Sequence, residues 1–448
     1  MGAHYTTDCA RELSEIVSEY IHSGSNAPSI RFEPNMGDKL ERLKQSMQVI
    51  GKDFREARSN REENWFIVVY ADSMITVYSN GIIDLHDCYI FNCISRKQFD
   101  VIYFDKVQAD ADDYYSHFQL IETTANKIDF NGVKVINLRN MSTAFDYCEI
   151  GEIEFTPLDT SKLSNMENMF YKAKIGKLNI SNFTYPMSEQ NSMCSINGMF
   201  KNSEIGELIA GKIGSYDTSQ AQSLFSFAAI RKHDIEEIII NPSEVIDNSS
   251  MFYGARIDFR NIKRIYIGKS NIASMFNLCR CTMLDTRILE GEPGSLVSMF
   301  MYDPDHVSSN ETAFDSAIKI DFSEKFDTSH VYDMRDFIKG RLVYYCNFSN
   351  CDFSNLRQYE GAVNEHSTAN WRYKFILKNR DQLRWDINKD FYKHWNKATL
   401  FLDEPYEIKC PDCYGIVKNE KCTCCGKVVK FTQRGWEPEW LKTMNIKA

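Results

Sequence analysis

Four cysteines near the end of the chain form the clearest candidate site. They occur as two Cys-x-x-Cys pairs, Cys410 with Cys413 and Cys422 with Cys425, and eight residues separate the pairs. Two such pairs at this spacing are typical of structural zinc sites, in which four thiolates hold Zn²⁺ in a closed tetrahedron without an open position for a substrate. We therefore predict that these four residues bind one structural Zn²⁺.

A spare cysteine leaves the ligand set partly open. Cys424 lies inside the second pair and could replace Cys422 or Cys425 as a ligand. A redox dithiol is the alternative interpretation, although two neighbouring pairs favour metal binding over redox chemistry. The segment resembles the zinc-ribbon superfamily over about 26 residues, and this resemblance implies short strands at residues 406–409 and 428–431.

The sequence carries no recognisable catalytic motif. It lacks a Gly-rich phosphate loop, an HExxH pair and a nucleophile elbow, and its nine histidines are scattered. Asp, Thr and Ser side chains commonly bond to backbone groups in tight turns, so we predict a turn role for the three Asp-Thr-Ser triplets. We also predict no catalytic or cofactor-binding residues and no enzymatic activity. The triplets are at residues 159–161, 217–219 and 327–329.

The composition predicts a folded protein that stays inside the cell. Of the 448 residues, 43% are apolar and 25% are charged, as in ordinary folded proteins, and the length exceeds what one hydrophobic core usually serves. Fourteen cysteines without a visible export signal favour free thiols and metal over disulfides. No stretch of about eighteen apolar residues occurs, so we expect no membrane partner. The predicted location is the cytoplasm, or a virion if the protein is phage-encoded.

A recurring phenylalanine reveals a repeat between about residues 141 and 353. Successive anchors are separated by 25, 30, 25, 27, 24, 38 and 23 residues, and Phe300 divides the longest gap into 24 and 14. Periods of 20 to 30 residues indicate a solenoid. The anchors are Phe145, Phe170, Phe200, Phe225, Phe252, Phe276, Phe314 and Phe337.

The residues that follow each anchor explain the repeat physically. The third residue after every anchor is small, as at Ala173 and Ala228, and the fifth is usually aliphatic. We predict that the Phe fills the interior of each coil, the small residue permits a close turn, and the aliphatic residue enters a strand. Cys148 and Cys279 stand at the small position, and we predict that they fill the core and are not nucleophiles.

Two copies of the repeat carry a resemblance to a known family. Residues 158–170 and 326–337 share Asp-Thr-Ser, an aliphatic residue and a Met before the anchor, and they align if one residue is missing from the second copy. This pattern resembles the BspA-like leucine-rich-repeat family over residues 140–355. The resemblance implies a right-handed solenoid with a parallel β-sheet, which members of the family use for adhesion and protein binding.

The ends of the repeat differ from its centre. Helical spacing at residues 8–22 and 37–58 predicts two amphipathic helices, and β-rich runs at 65–70 and 74–78 predict a hairpin. The predicted fold is mainly β, a leucine-rich-repeat-like parallel β-solenoid with an α/β N-terminal cap region and a C-terminal zinc β-ribbon. The predicted domains are 1–62 (helices), 63–135 (β-rich cap or small α/β domain), 136–356 (repeat solenoid), 357–402 (aromatic and basic connection), 403–434 (zinc ribbon) and 435–448 (tail).

Two functions remain open at this stage. A non-enzymatic scaffold would bind a protein partner through the solenoid, and a specific version is a phage or mobile-element virion component or an inhibitor of a host machine. The alternative is a nucleic-acid-associated protein, because residues 371–448 contain 16 Lys and Arg against 10 Asp and Glu and five of the six tryptophans. The sequence does not determine the oligomeric state.

Overall fold

The structure is a computed structural model of the chain. Its description covers residues 11–19, 27–34, 54–59, 65–70, 74–79, 94–104, 108–110, 119–130, 134–136, 138–155, 158–187, 194–280, 284–302, 318–339, 343–362, 374–377, 399–401, 408–409, 416–418 and 421–422.

Ten of the first fifteen strands form one sheet. The fifteen strands follow in chain order. They are β1 (Ser29–Pro34), β2 (Phe54–Ser59), β3 (Trp65–Tyr70), β4 (Met74–Ser79), β5 (Gln98–Phe104), β6 (Gln108–Asp110), β7 (Thr124–Asp129), β8 (Lys134–Ile136), β9 (Glu149–Glu154), β10 (Lys174–Asn179), β11 (Cys194–Ser195), β12 (Glu204–Ile209), β13 (Lys212–Ser215), β14 (Thr218–Gln220) and β15 (Ala229–His233).

The remaining strands are short. They are β16 (Glu237–Ile240), β17 (Ile246–Asp247), β18 (Arg264–Tyr266), β19 (Ser270–Asn271), β20 (Leu284–Asp285), β21 (Leu289–Glu290), β22 (Ile318–Asp321), β23 (Val343–Asn347), β24 (Lys374–Leu377), β25 (Thr399–Phe401), β26 (Ile408–Lys409), β27 (Ile416–Lys418) and β28 (Lys421–Cys422). Within the described residues, 3₁₀ helices occur at Phe259–Asn261 and Thr286–Ile288.

A ten-stranded sheet organises the first half of the chain. Its order is β15-β12-β10-β9-β7-β5-β1-β4-β3-β2. Every pairing from β15 to β4 is parallel, whereas β4 with β3 and β3 with β2 are antiparallel. Successive parallel strands one coil apart are what a β-solenoid requires, so the predicted parallel solenoid is confirmed. The predicted hairpin is confirmed by the pairing of β3 with β4.

The phenylalanine anchors form a continuous stack through the interior. The rings from Phe145 to Phe300 are completely buried, their centroids lie 5.1–5.6 Å apart, and their planes differ by no more than 13°. Offset stacking of this kind adds to the stabilisation from burial. Phe300 contacts both Phe276 and Phe337, so it is a full member of the stack. Phe314 lies outside the described residues.

The small positions have the predicted environment. Six of them are at most 1% exposed, and Ile150, Ile175 and Ile205 follow as the second residues of their strands. Each anchor amide from Phe145 to Phe276 donates to the carbonyl just before the next ring of the stack, for example Phe145 to Met169 at 2.9 Å. The six small residues are Cys148, Ala173, Ser203, Ala228, Ala255 and Cys279.

The coils begin earlier than the anchor spacing indicated. Leu120 donates to the Ala144 carbonyl at 2.7 Å, the bond that an anchor makes, so an aliphatic residue fills the anchor position there. A second ring stack joins Phe32, Phe104, Phe130 and Phe155 at 5.1–5.4 Å. The 26- and 25-residue spacing of the last three rings was a signal in the sequence for these coils. The sheet continues across the boundary predicted at residues 135 and 136, because β7 pairs with β9.

Two local predictions are wrong. Residues 54–58, predicted as the end of a second helix, belong to β2, which pairs with β3; residues 37–53 lie outside the described part. The one-residue gap between the two similar copies is also wrong. The Ser298 amide donates to Arg335 as the Thr143 amide donates to Glu167, which puts Ile338 at the anchor position and Phe337 at the preceding Met position. The copies therefore align without a gap.

That shift explains the geometry of the last anchor. Phe337 meets Phe300 edge to face, with an interplanar angle of 80°, whereas the preceding pair Phe276 and Phe300 is parallel within 3°. Phe337 and Ile338 are both buried. The interior thus accommodates an aliphatic residue in the stack by placing the ring one residue earlier.

Further parallel sheets follow the first. One has the order β13-β16-β18-β21, and another has the order β20-β22-β23-β24-β25. The second of these includes residues 374–377 and 399–401, so parallel pairing extends past residue 356. The division into six predicted domains stays a prediction.

The N-terminal helical segment packs on the solenoid. Residues 11–19 are helical, and Leu13, Ile16 and Val17 are buried on the predicted apolar face. The Lys97 ammonium donates to the carbonyl and hydroxyl of Ser14 at 3.1 and 2.9 Å. Among the described helical residues, none forms a helix long and apolar enough to cross a bilayer.

Candidate functional site

The outer face of the ten-stranded sheet carries ordered charges. At the fourth position of successive strands stand Lys127, Glu152, Lys177, Glu207 and Lys232, and each faces its neighbour in register. The Lys177 ammonium lies 3.0 Å from a Glu152 oxygen. Because each of these charges faces a neighbour of opposite sign, the charges on this part of the face neutralise one another.

Glycines bring adjacent strands of this face close together. A Cβ added to Gly151, Gly176 or Gly206 would lie 2.3–2.5 Å from a backbone oxygen of the preceding strand. No side chain fits at that distance, since ordinary carbon–oxygen contacts exceed 3 Å. The regular face therefore contains a narrow column of bare backbone beside the charge ladder.

The regular face stops at β15. The next coil makes only one bridge to it, Ala229 with Arg256, and then forms the 3₁₀ helix that begins after Asp258. The His233 ring replaces the missing ladder: its Nε2 lies 2.6 Å from the Asp258 carbonyl oxygen, and its Nδ1 accepts from the Ile235 amide at 3.1 Å. This bonding places the proton of the neutral ring on Nε2.

A hollow of about 710 Å³ opens where the sheet stops. We call it the end groove; it spans four coils. Most of its lining residues come from two rows that run along the solenoid. The turn row contains the residues two positions after each anchor, and the entry row contains those four positions after. In the entry row, long charged side chains at Glu149, Lys174 and Glu204 are followed by Ala229 and then by Arg256 and Arg280.

Phe227 forms an aromatic wall of the end groove. It is half exposed, and its φ of 55° lies in the left-handed region, where a bulky residue is rare. Its amide donates to the Tyr253 carbonyl at 2.7 Å, and its ring meets Tyr253 edge to face at 5.1 Å. Gly254 lies beneath it, since a Cβ there would be 2.6 Å from Phe227 Cδ1. The ring is therefore held in place although it faces outward.

The charged side chains that line the end groove have both signs, and arginines outnumber carboxylates. Arg231, Arg256 and Arg280 line the end groove together with Glu204 and Asp258. Asp258 is already engaged: the Arg260 Nε donates to its two oxygens at 3.0 and 2.8 Å. These hydrogen bonds from Arg260 lower the pKa of Asp258 despite its partial burial.

The cysteines predicted as interior fillers have that role. Cys148 and Cys279 are completely buried. Burial raises the pKa of the Cys148 thiol to about 12, which leaves almost no thiolate at neutral pH. Cys194, Cys346 and Cys351 are also buried, and burial raises the pKa of each thiol as the main cause.

Two of the three Asp-Thr-Ser triplets form the predicted turns. The Ser161 amide donates to Asp159 at 2.9 Å, and the Ser329 amide donates to Asp327 at 2.8 Å. These bonds lower the pKa of both aspartates. In the third triplet the Thr218 hydroxyl accepts from the Ser215 amide at 2.9 Å. All three therefore organise the backbone.

The predicted zinc ligands fall mostly outside the described residues. Cys410, Cys413 and Cys425 lie outside them, and Cys422 ends β28. The three strands β26, β27 and β28 form an antiparallel sheet in which the chain reverses between Lys409 and Ile416. The four-cysteine site remains a prediction.

Sequence reasoning missed the residues of the end groove. A signal was present in the entry row: Ala229 interrupts charged residues, and both Arg256 and Arg280 stand four positions after an anchor. Arg231 and Phe227 gave no comparable signal, because their exposure depends on where the following coil turns.

The fold defines a class, a parallel β-solenoid repeat protein with a ring-stacked interior. One family model, described as "Mycoplasma protein of unknown function, DUF285", matches residues 113–256 and 188–286. The overlapping matches fit a repeated unit, and they are consistent with the resemblance to BspA-like repeats. Searches of curated proteins and of solved structures found no match to the chain.

Proposed function

We propose that this protein is a non-enzymatic scaffold that binds a protein partner through the surface of its solenoid. One observation supports this most: large aromatic side chains are held at the surface of a stack whose interior is fully packed. Tyr147 and Phe227, both in the turn row, are 45% and 50% exposed. Aromatic residues are enriched where proteins meet, and rigid aromatic anchors bind at a low entropic cost.

The surface around Tyr147 illustrates this preorganisation. The Lys172 ammonium donates to the Tyr147 hydroxyl at 2.8 Å and lies over the Tyr147 and Tyr171 rings at 4.7 and 5.1 Å. A second exposed aromatic group joins Tyr216 and Tyr266, with the Arg264 guanidinium over both rings. A partner could contact these groups without reordering them.

The test is recovery of a partner from the native host with the full-length chain, with and without nuclease and at high salt. A stoichiometric protein that survives both treatments, and that is lost from a Tyr147→Ala/Phe227→Ala double variant, supports the scaffold. Recovery that disappears with nuclease would favour the nucleic-acid alternative. The phage or mobile-element role is a finer proposal, supported by the Asn-, Ile-, Lys- and Tyr-rich composition alone.

We also propose that Cys410, Cys413, Cys422 and Cys425 hold a structural Zn²⁺. The spacing of the four thiols and the chain reversal between β26 and β27 support this. The purified protein should contain about one zinc per chain by elemental analysis. Cys413→Ser should abolish zinc binding, and Cys424→Ser is the matched control. Chelation should leave the β-sheet circular dichroism of the solenoid largely intact; its complete loss would contradict separate folding of the two parts.

A further inference from the structure

We propose that His233 is a pH-sensitive latch at the point where the ten-stranded sheet stops. The latch is closed while the imidazole is neutral, and it releases the backbone amide of Ile235 when the ring takes up a proton. This inference goes beyond the scaffold proposal and does not depend on it.

The two ring nitrogens of His233 have opposite hydrogen-bonding roles. Nε2 donates to the Asp258 carbonyl oxygen at 2.6 Å, and Nδ1 accepts from the Ile235 amide at 3.1 Å. A neutral imidazole has one donor and one acceptor nitrogen, so it makes both bonds, whereas a protonated ring has two donors. The protonated ring keeps the bond to Asp258 and turns an N–H toward the Ile235 N–H. Protonation therefore breaks the Ile235 bond and spares the other.

The Ile235 amide depends on this ring, whereas its neighbours in the chain bond to backbone carbonyls. The Asp234 amide donates to Leu208 at 3.3 Å, and the Glu236 amide donates to Gly211 at 2.7 Å. Ile235 is completely buried, and His233 is only 7% exposed. A buried amide without a partner costs free energy, so loss of the ring as an acceptor favours local opening that brings this amide to water.

The charged groups around the ring are engaged elsewhere. Among the described residues, no carboxylate bonds to Nδ1, and Arg231 on the same strand is a cation that cannot accept a hydrogen bond. The negative charge of Asp258 attracts the protonated ring and so favours proton uptake. The engaged groups are Lys232 with Glu207, Asp234 with the amides of Ala210 and Gly211, Glu236 with Lys263, and Asp258 with Arg260.

The position of the latch gives it a structural consequence. The ring joins β15 to Asp258, which lines the end groove, and Ile235 leads from β15 toward β16. Histidine side chains ordinarily change charge between about pH 5 and pH 8. The phenylalanine stack beneath contains no group that titrates. Acidification in this range should therefore open the corner between β15 and β16 and leave the stacked interior closed.

The experiment measures amide hydrogen exchange in the full-length protein by mass spectrometry at about pH 7.5 and about pH 5, with correction for the intrinsic effect of pH on exchange. Protection of the fragment that contains Ile235 should fall by about tenfold or more at the lower pH, because its amide loses its partner. A fragment from β12 is the internal reference and should change by less than about twofold.

Two variants divide the two bonds of the ring. His233→Asn keeps an acceptor at the δ position and does not reach Asp258, so the Ile235 fragment should be equally protected at both pH values. His233→Gln keeps a donor at the ε position and lacks the δ acceptor, so protection should be low at both pH values and match the wild type in acid. His330→Gln is the control, because His330 is exposed and lies 4.0 Å from Glu292.

Each outcome decides for or against the latch. Equal protection of the wild-type fragment at both pH values overturns it, and so does a loss in acid that the His233→Asn protein shares. High protection of the His233→Gln protein at neutral pH would show that the Ile235 amide does not need Nδ1. If the pH response disappears in His330→Gln, the wrong histidine has been assigned. Circular dichroism checks each fold. Should a His233 variant not fold, the wild type decides by itself: loss confined to the Ile235 fragment supports the latch, and uniform loss overturns it.

Discussion

The coils on the two sides of Ala229 have the same interior and different surfaces. Across this point the rings of Phe200, Phe225, Phe252 and Phe276 continue at 5.1–5.4 Å. On the outer face, a ladder of alternating charges runs up to Lys232 and is followed by a 3₁₀ helix and arginines. The stack therefore does not require a regular sheet on its outer face.

The comparison shows that core and surface are specified separately in this solenoid. The interior needs rings and small residues of fixed size in every coil, because each coil packs directly on two others. The outer face needs only that its backbone groups find partners, and the His233 ring can supply one where the strand ladder ends. A binding surface can thus arise at one coil without changing the core.

The largest expected effect contrasts two phenylalanines in one coil. Phe225 is completely buried between two rings, whereas Phe227 is half exposed. Phe225→Ala should lower the free energy of unfolding by about 3–5 kcal/mol, through lost burial and a cavity. Phe227→Ala should cost less than about 1 kcal/mol. Denaturant unfolding measures both losses. Similar losses would show that the anchor ring and the turn-row ring do not differ in how tightly they are packed.

An intermediate effect contrasts two neighbouring alanines. Ala228 is 1% exposed at the small interior position, and Ala229 forms the floor of the end groove. Ala228→Leu should destabilise the protein by about 1–3 kcal/mol, because the interior has no space for the added atoms. Ala229→Leu extends into the end groove and should leave the melting temperature nearly unchanged. If Ala229→Leu were the more destabilising change, the end groove would not be open space.

The smallest expected effect is a change in stability with pH that comes from Asp146, which lies between the anchor Phe145 and Tyr147 of the turn row. Burial, with a contribution from Glu122, raises the pKa of Asp146 from 3.8 to about 6, although Lys172 opposes the shift. In the described residues its Oδ1 is buried without a hydrogen-bond partner. The folded state holds this proton more tightly than the unfolded state, so stability should fall as the pH rises from about 4 through about 6.

The matched variant is Asp146→Asn, which cannot ionise. It should be more stable than the wild type at pH 7, and the difference should shrink as the pH falls from about 6 to about 4. Thermal melts of both proteins between these pH values provide the measurement. A constant difference across that range would mean that ionisation of Asp146 does not contribute to stability.

The periodic interior was accessible to sequence reasoning. Phe145 to Phe300 and the small residues three positions later occupy their predicted environments in the described coils. The isoleucines five positions later are buried and lie in strands as predicted, except Ile257, which is buried outside a strand. The coils containing Leu120 and Ile338 were missed or misaligned, because an aliphatic residue replaces the anchor and the ring periodicity breaks. The backbone hydrogen bonds preserve the register that the side chains no longer show.

The sequence by itself determined the parallel solenoid and its ring-stacked core, because side chains in contact with two neighbouring coils must recur with the length of a coil. It also defined the four candidate zinc ligands by their spacing. Only the tertiary structure decided where the sheet ends and the end groove opens. That point depends on the path of the backbone after Arg256 and on the bond between His233 and the Asp258 carbonyl, and surface residues that contact no repeated neighbour leave no period in the sequence.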